Sequence, residues 1–218
     1  MRKQQLYIIF LFFTLGSFSS AEKIEKVTKW TKVKTRNGIE VYSRVNTLSD
    51  VKEIRVETTV EASLSAMVYL IKQAEMQPQW VYSSIQSKVI KNYNNFHWVT
   101  YMISDALWPA TDRDCVTDVQ INQLSDSSVI ISSNNIDNFY PKKDDFVRIP
   151  FIRASWKFKK LGNNKFTTSF QILILLGGSA PSWVVNLFVD SAPYNSVYNF
   201  REELKKPQYK NIKLDFLR

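Results

Sequence analysis

From Ile39 to Val45 apolar and polar residues alternate, the period-two pattern of a half-buried strand. Ahead of it a basic stretch containing Trp30 runs into Thr35-Arg-Asn-Gly38, and an Asn-Gly pair tolerates the positive φ of a hairpin turn. Val51 to Val60 alternates again. The period then changes. After Ser63, a good helix N-cap, the apolar residues Leu64, Met67, Val68, Leu70 and Ile71 fall at helical spacing until Pro78 closes the segment before Trp80. This predicts one short amphipathic helix. Strand patterns return at Ile85–Ile90, Phe96–Ile103, Cys115–Leu124, Ser128–Asn135, Phe146–Leu161 and Phe166–Leu176, with turn residues between most of them. Strands in succession joined by short turns predict an antiparallel meander. The last segment is helical: Ser179-Ala-Pro181 suits a helix start, and Trp183, Val189, Val197, Phe200 and Leu204 follow close to a three-and-four rhythm. Pro193 is expected to bend this helix.

These elements make an α+β fold: a curved antiparallel sheet with a short helix inserted early and a long C-terminal helix that must cover the concave side. No repeat, low-complexity tract or charge block marks a linker, so the pattern reads as one domain over residues 22–218. Sheet and helix together enclose either a packed core or a tunnel, and periodicity does not choose between them.

Composition narrows the chemistry. With one cysteine and one histidine in 218 residues the chain cannot build a Cys/His zinc site, a disulfide framework or an iron–sulfur cluster. Five glycines leave no glycine-rich phosphate cradle. At the N-terminus Arg2-Lys3, the apolar run Leu6 to Phe13 and the small residues Ser19 and Ala21 read as a signal peptide over 1–21, cleaved after Ala21. The run is shorter than the roughly 20 apolar residues of a membrane span. Phe170 to Leu176 is shorter still. A lipoprotein anchor would need a cysteine at the cleavage site, whereas Cys115 lies far from it and reads as a buried apolar side chain. The expectation is an extracytoplasmic protein, periplasmic or secreted. Its net charge of +9 loses Arg2 and Lys3 with the leader and still favours transient contact with anionic membrane surfaces. The basic residues form no nucleic-acid motif, and no nucleic-acid partner is expected.

Several residues are candidates for a site. Arg113, between Asp112 and Asp114 at the head of a strand, can grip a carboxylate in fork geometry, as an ion pair that fixes the strand or as a ligand contact. Arg148 must find a partner or a ligand polar group if it points inward. Trp98, Tyr101, Met102, Phe151, Trp156 and Phe170 are strand residues that either line a tunnel or make core. Trp183, Leu187 and Phe188 sit on the apolar stripe of the covering helix and face whatever lies beneath it. His97 has no Ser, Cys or second His motif beside it, and no G-x-S-x-G or H-E-x-x-H motif occurs.

A set of short motifs in order carries a resemblance. These are Gly38-Ile39-Glu40-Val41-Tyr42, Trp80, Trp108-Pro109 with Asp112-Arg113-Asp114, Val147-Arg148, Trp156, Gly177-Gly178, Pro181-Ser182-Trp183-Val184-Val185-Asn186 and Arg201. From Trp30 to Leu204 the chain resembles the START domain, the steroidogenic-acute-regulatory-related lipid-transfer family, in an exported form of bacterial type. The resemblance implies the helix-grip fold, a central cavity under the C-terminal helix that holds one hydrophobic ligand such as a sterol or phospholipid, lipid transfer, and no cofactor. The leading expectation is therefore an exported lipid-binding protein with no catalytic role. The alternative is a cyclase- or hydrolase-like enzyme on the same fold, in which Asp112 would work with Arg113 or His97.

Overall fold

In the computed structural model, which describes residues 28–46, 51–106, 108–125, 128–179, 185 and 191–217, the Asn-Gly pair turns the chain as expected. Asn37 and Gly38 take φ of 53° and 70° and join strand β1 (Thr31–Arg36) to β2 (Ile39–Asn46). β3 (Val51–Glu61) continues the antiparallel run. Its pairing sets Val56 opposite Val41 and Ile54 opposite Ser43, so that alternate residues of both strands enter the core.

Ser63 caps helix α1 (Leu64–Lys72), its hydroxyl accepting the Ala66 N–H at 3.1 Å. The helix buries Met67, Val68, Leu70 and Ile71. It ends ahead of the expected stop at Pro78, because Lys72, Gln73 and Glu75 break the apolar stripe. A 3-10 turn over Ala74–Gln79 takes up the proline.

Four antiparallel strands follow: β4 (Ser84–Asn94), β5 (His97–Ser104), β6 (Arg113–Ser125) and β7 (Ser128–Asn135). The stretch expected as one strand from Phe146 to Leu161 is divided at Ile149-Pro150 into β8 (Val147–Arg148) and β9 (Phe151–Gly162). Pro150 has no N–H to give a ladder. β8 pairs in parallel with β6, and β10 (Lys165–Leu175) completes the sheet. The strand order is β1-β2-β3-β10-β9-β7-β6-β5-β4, with β8 beside β6. The expected meander is thus corrected to two runs joined where β10 pairs with β3, Phe170 opposite Val56.

Helix α2 (Ala192–Glu203) lies on this curved sheet. Pro193 sits in its first turn, where a missing N–H is harmless, and the bend expected there involves preceding positions that lie mostly outside the described residues. Arg201 Nη1 donates to the Asn37 carbonyl at 2.9 Å and to Thr58 Oγ1 at 3.2 Å, tying the helix to the β1–β2 turn. Phe200, fully buried, meets Trp156 at 4.6 Å and Trp80 at 5.2 Å between ring centroids. The leader expected at 1–21 and the candidates Trp183, Leu187 and Phe188 lie outside the described residues. Among the described residues, no helix is long and apolar enough to cross a membrane.

Candidate functional site

The inward positions of the strands change character along their length. On β9 they run Ile152, Ala154, Trp156 and Phe158, and on β7 Ser133 follows the fully buried Ile131. On β6 they run Arg113, Cys115, Thr117, Val119 and Ile121. Toward Phe158, Ile131 and Ile121 the side chains are large and fill the space under α1 and α2. Toward Ala154, Ser133, Thr117 and Cys115 they are small, and a cavity of about 180 Å³ remains. On the same measure a water needs about 10–15 Å³, so the space suits a small organic group and far exceeds a single solvent site. The question left open by periodicity has both answers: one end of the fold is packed core, the other is hollow.

β5 contributes Trp98, Thr100, Met102 and Ser104 to the wall, and β10 contributes Phe170, Ile172 and Ile174, with Leu176 just after it. Ile54 of β3, Ile71 of α1 and Trp80 close further sides, while Ala192, Pro193 and Ser196 in the first turns of α2 lie across the space. The Ser196 hydroxyl accepts the Tyr82 N–H at 3.0 Å, which holds that turn against the segment after the 3-10 helix. Trp156 forms the boundary, lining the cavity while packing against Phe158, Phe170 and Phe200 on the solid side.

Of the candidates named from the sequence, Trp98, Met102, Arg113, Trp156 and Phe170 come together around this cavity. Tyr101, Arg148 and Phe151 do not, and the two-residue period of a strand is the reason. Tyr101 stands one residue out of step with Trp98 and Met102, and Phe151 one out of step with Ile152, Ala154 and Trp156. Tyr101 belongs to a separate cluster with Val99, Ile103 and Val116 on the opposite face, covered by Ile136, Tyr140 and Phe146. Arg148 is also on that face, paired across β8 and β6 with Asp114. Its Nε donates to Asp114 Oδ1 at 2.8 Å and its Nη2 to Oδ2 at 2.9 Å. Two further bonds reach the Tyr140 and Pro141 carbonyls. The Asp114 carboxylate accordingly holds the Arg148 guanidinium above the ordinary arginine range. The Tyr101 hydroxyl donates to Asp114 Oδ2 at 3.0 Å, and burial followed by that carboxylate raises the phenol above its usual value. This network fastens the segment between β7 and β8 to the sheet.

His97 is off the cavity too, its Nε2 and Asp118 Oδ1 2.6 Å apart and its ring stacked on Tyr93. Asp112 Oδ1 accepts the Ala106 N–H at 2.9 Å and shapes the loop between β5 and β6. His97 therefore stands away from the wall that Arg113 joins, while Asp112 remains a charged neighbour of Arg113.

Wall residues outside the sequence candidates include the small side chains Thr100, Ser104, Cys115, Thr117, Ser133 and Ala154. Their signal was available: each continues the two-residue step from a large inward residue on its own strand. Small inward side chains were the mark of a hollow, and attention to aromatic residues passed over them.

Arg113 is different from the rest of the wall. Only 2% of the residue is exposed, and burial holds its guanidinium below the ordinary arginine range against the opposing attraction of Asp112. Arginine remains charged at neutral pH even so. Cys115, on the same strand, is buried, and desolvation first and the Asp114 charge second push its thiol up to about 12. It therefore stays protonated and unreactive in the folded protein, and iodoacetamide at about pH 8 should label it only after denaturation, as read by mass. The sign for stability follows: an unfolded thiol ionises near about 8.5, so its contribution is complete below that pH and is lost as pH rises toward 12.

The geometry agrees with three comparisons. The model of the START domain matches residues 20–208. An uncharacterised Pseudomonas aeruginosa protein is 28% identical over 177 residues, which cover 81% of this chain and 87% of that one. The crystal structure of a STAR-related lipid transfer protein from Xanthomonas axonopodis superimposes with a TM-score of 0.75 at 25% identity, covering 81% of this chain and 99% of that one. Human StAR-related lipid transfer protein 5 shares the fold, with a TM-score of 0.72 at 19% identity over 81% of this chain and 86% of that one. A sheet gripping one C-terminal helix above an apolar hollow, with a family match over most of its length, identifies the chain as a member of the START domain family, whose proteins bind lipids and other hydrophobic molecules.

Proposed function

We propose that the protein is exported and binds one lipid-like molecule in the cavity beneath α2, carrying it between membrane surfaces. The observation that bears most weight is the wall itself: Ile54, Trp98, Met102, Ile152, Trp156, Phe170 and Ile172 surround unfilled space instead of filling it. Burying a ligand's apolar surface there is worth roughly 25 cal/mol per Å². The relative from Xanthomonas axonopodis bears the name of a lipid transfer protein, which supports the same reading.

Binding is favoured over catalysis because the described wall supplies neither a carboxylate nor an imidazole for proton transfer. Export is supported by the basic, apolar and small-residue order of positions 1–21. Contact with a membrane is supported by the positive charge and by Trp108, 88% exposed in the loop whose two ends, Ser104 and Arg113, line the cavity.

Native mass spectrometry of the protein purified from an extracytoplasmic fraction tests both halves of the proposal. The expected mass is that of a chain beginning at Glu22 plus one extractable lipid. A protein that begins at Met1 would overturn export. A lipid-free protein that takes up no lipid from mixed vesicles would overturn the binding function.

A further inference from the structure

The cavity is short of hydrogen-bond acceptors. Arg113 Nη1 donates to the Thr111 carbonyl, but Nε and Nη2 have no partner among the described residues although the side chain is buried. The ring nitrogens of Trp80 and Trp98, which also line the space, are buried donors without partners. The described wall residues with formal charge are Arg113 and Lys52, both cations.

Nε and Nη2 form one edge of the guanidinium. The same edge of Arg148 grips both oxygens of Asp114 on the other face of the sheet, at 2.8 and 2.9 Å. Arg113 thus presents to the cavity a complete two-pronged donor of the kind that Arg148 has already satisfied. A buried cation with one edge unpaired is strongly disfavoured, and a ligand oxyanion would supply both the counter-charge and the two missing acceptors. Ser104 lies directly across from Arg113 on β5, and Ser84 directly across from Ser104 on β4, so hydroxyls extend the polar row beyond the guanidinium. The Ser84 hydroxyl is itself buried without a partner.

We infer that the cavity selects an amphiphile with an anionic oxyacid head, carboxylate or phosphate, held on the Nε–Nη2 edge of Arg113 while its apolar body lies along Met102, Ile152, Ile172 and Trp156. This rests on the lipid-binding reading and names the class of ligand. Arg113 is then a specificity determinant as well as part of the wall. A neutral ligand of the same length fills the same volume but leaves the edge of Arg113 unpaired.

The test compares laurate, dodecanol and dodecyl phosphate on delipidated protein by calorimetric titration. Wild-type protein should bind laurate or dodecyl phosphate at least about tenfold more tightly than dodecanol. Whichever anion binds more tightly identifies the carboxylate or the phosphate as the source. Arg113→Gln should bring the anions to within about twofold of dodecanol on the same variant. Arg113→Lys, which keeps the charge and loses the fork, should fall between, and with the wild-type comparison it decides the matter if Arg113→Gln does not fold. Equal binding of all three probes to wild type, or an anion preference that survives Arg113→Gln, would overturn the inference and leave lipid binding standing. Failure of every probe to bind would take down the lipid-binding reading along with it.

Discussion

Replacing Phe200 with alanine should lower the stability of the protein by about 3–5 kcal/mol, the usual result of emptying an aromatic site in a core that cannot collapse. The ring is fully buried and is one of the contacts through which α2 meets the sheet, with Trp156, Trp80 and Phe158 around it. None of the three can move in without leaving its own place. Trp156 is held by Phe158 and Phe170, and Trp80 by its edge contact with Trp156. Urea unfolding should show an earlier midpoint with an unchanged slope. Ligand affinity should also fall, because Ala192, Pro193 and Ser196 of the same helix form part of the cavity wall. A loss below about 1 kcal/mol would mean that α2 is held chiefly by Arg201 and the polar contacts of its first turns.

Arg148→Met should be about as damaging to stability, again on the order of 3–5 kcal/mol, and nearly silent in binding. Asp114 is 1% exposed, and with Arg148 gone its carboxylate keeps, among the described residues, only the Tyr101 hydroxyl as a side-chain partner. The uncompensated charge, more than any lost attraction, is the source of the damage. Arg148→Met combined with Asp114→Asn should therefore recover much of the stability, a non-additivity that unfolding of the two single and the double variants measures directly. Because the pair lies on the face away from the cavity, ligand affinity measured below the unfolding transition should match that of the native protein. Lost binding in a stably folded Arg148→Met variant would show that the pair governs the site from behind the sheet.

The fold was legible in the chain wherever a local rule acted alone. Asn37-Gly38 turned as its conformational freedom required, and Ser63 capped the first helix. The alternating segments became strands close to their expected ends. Local rules failed where two of them met. Pro193 suits either a bend or a helix start, and within the described residues it stands in the first turn of α2. Pro150 interrupted an alternating segment that hydropathy read as continuous, and the freed residues 147–148 paired in parallel with β6. The candidate site was half legible for a related reason. Large aromatics such as Trp98 and Trp156 drew attention correctly, yet Tyr101 and Phe151, equally large, stand one residue out of phase and face away.

By itself the sequence determined the kind of most elements, the early helix among strands, and a composition too poor in Cys and His for a Cys/His metal site or a disulfide framework, because these depend on neighbours along the chain or on composition. Which end of the fold is solid and which is hollow depended on the packing of β5, β6, β7, β9 and β10 side by side. Only there do Ala154, Ser133, Thr117 and Cys115, small residues far apart in sequence, fall in one patch that no large side chain of the described residues fills. The two arginines make the same point. Arg113 and Arg148 carry the same fork, but strand phase turns Arg148 toward Asp114 on the covered face and Arg113 into the cavity, its Nε–Nη2 edge unpaired among the described residues.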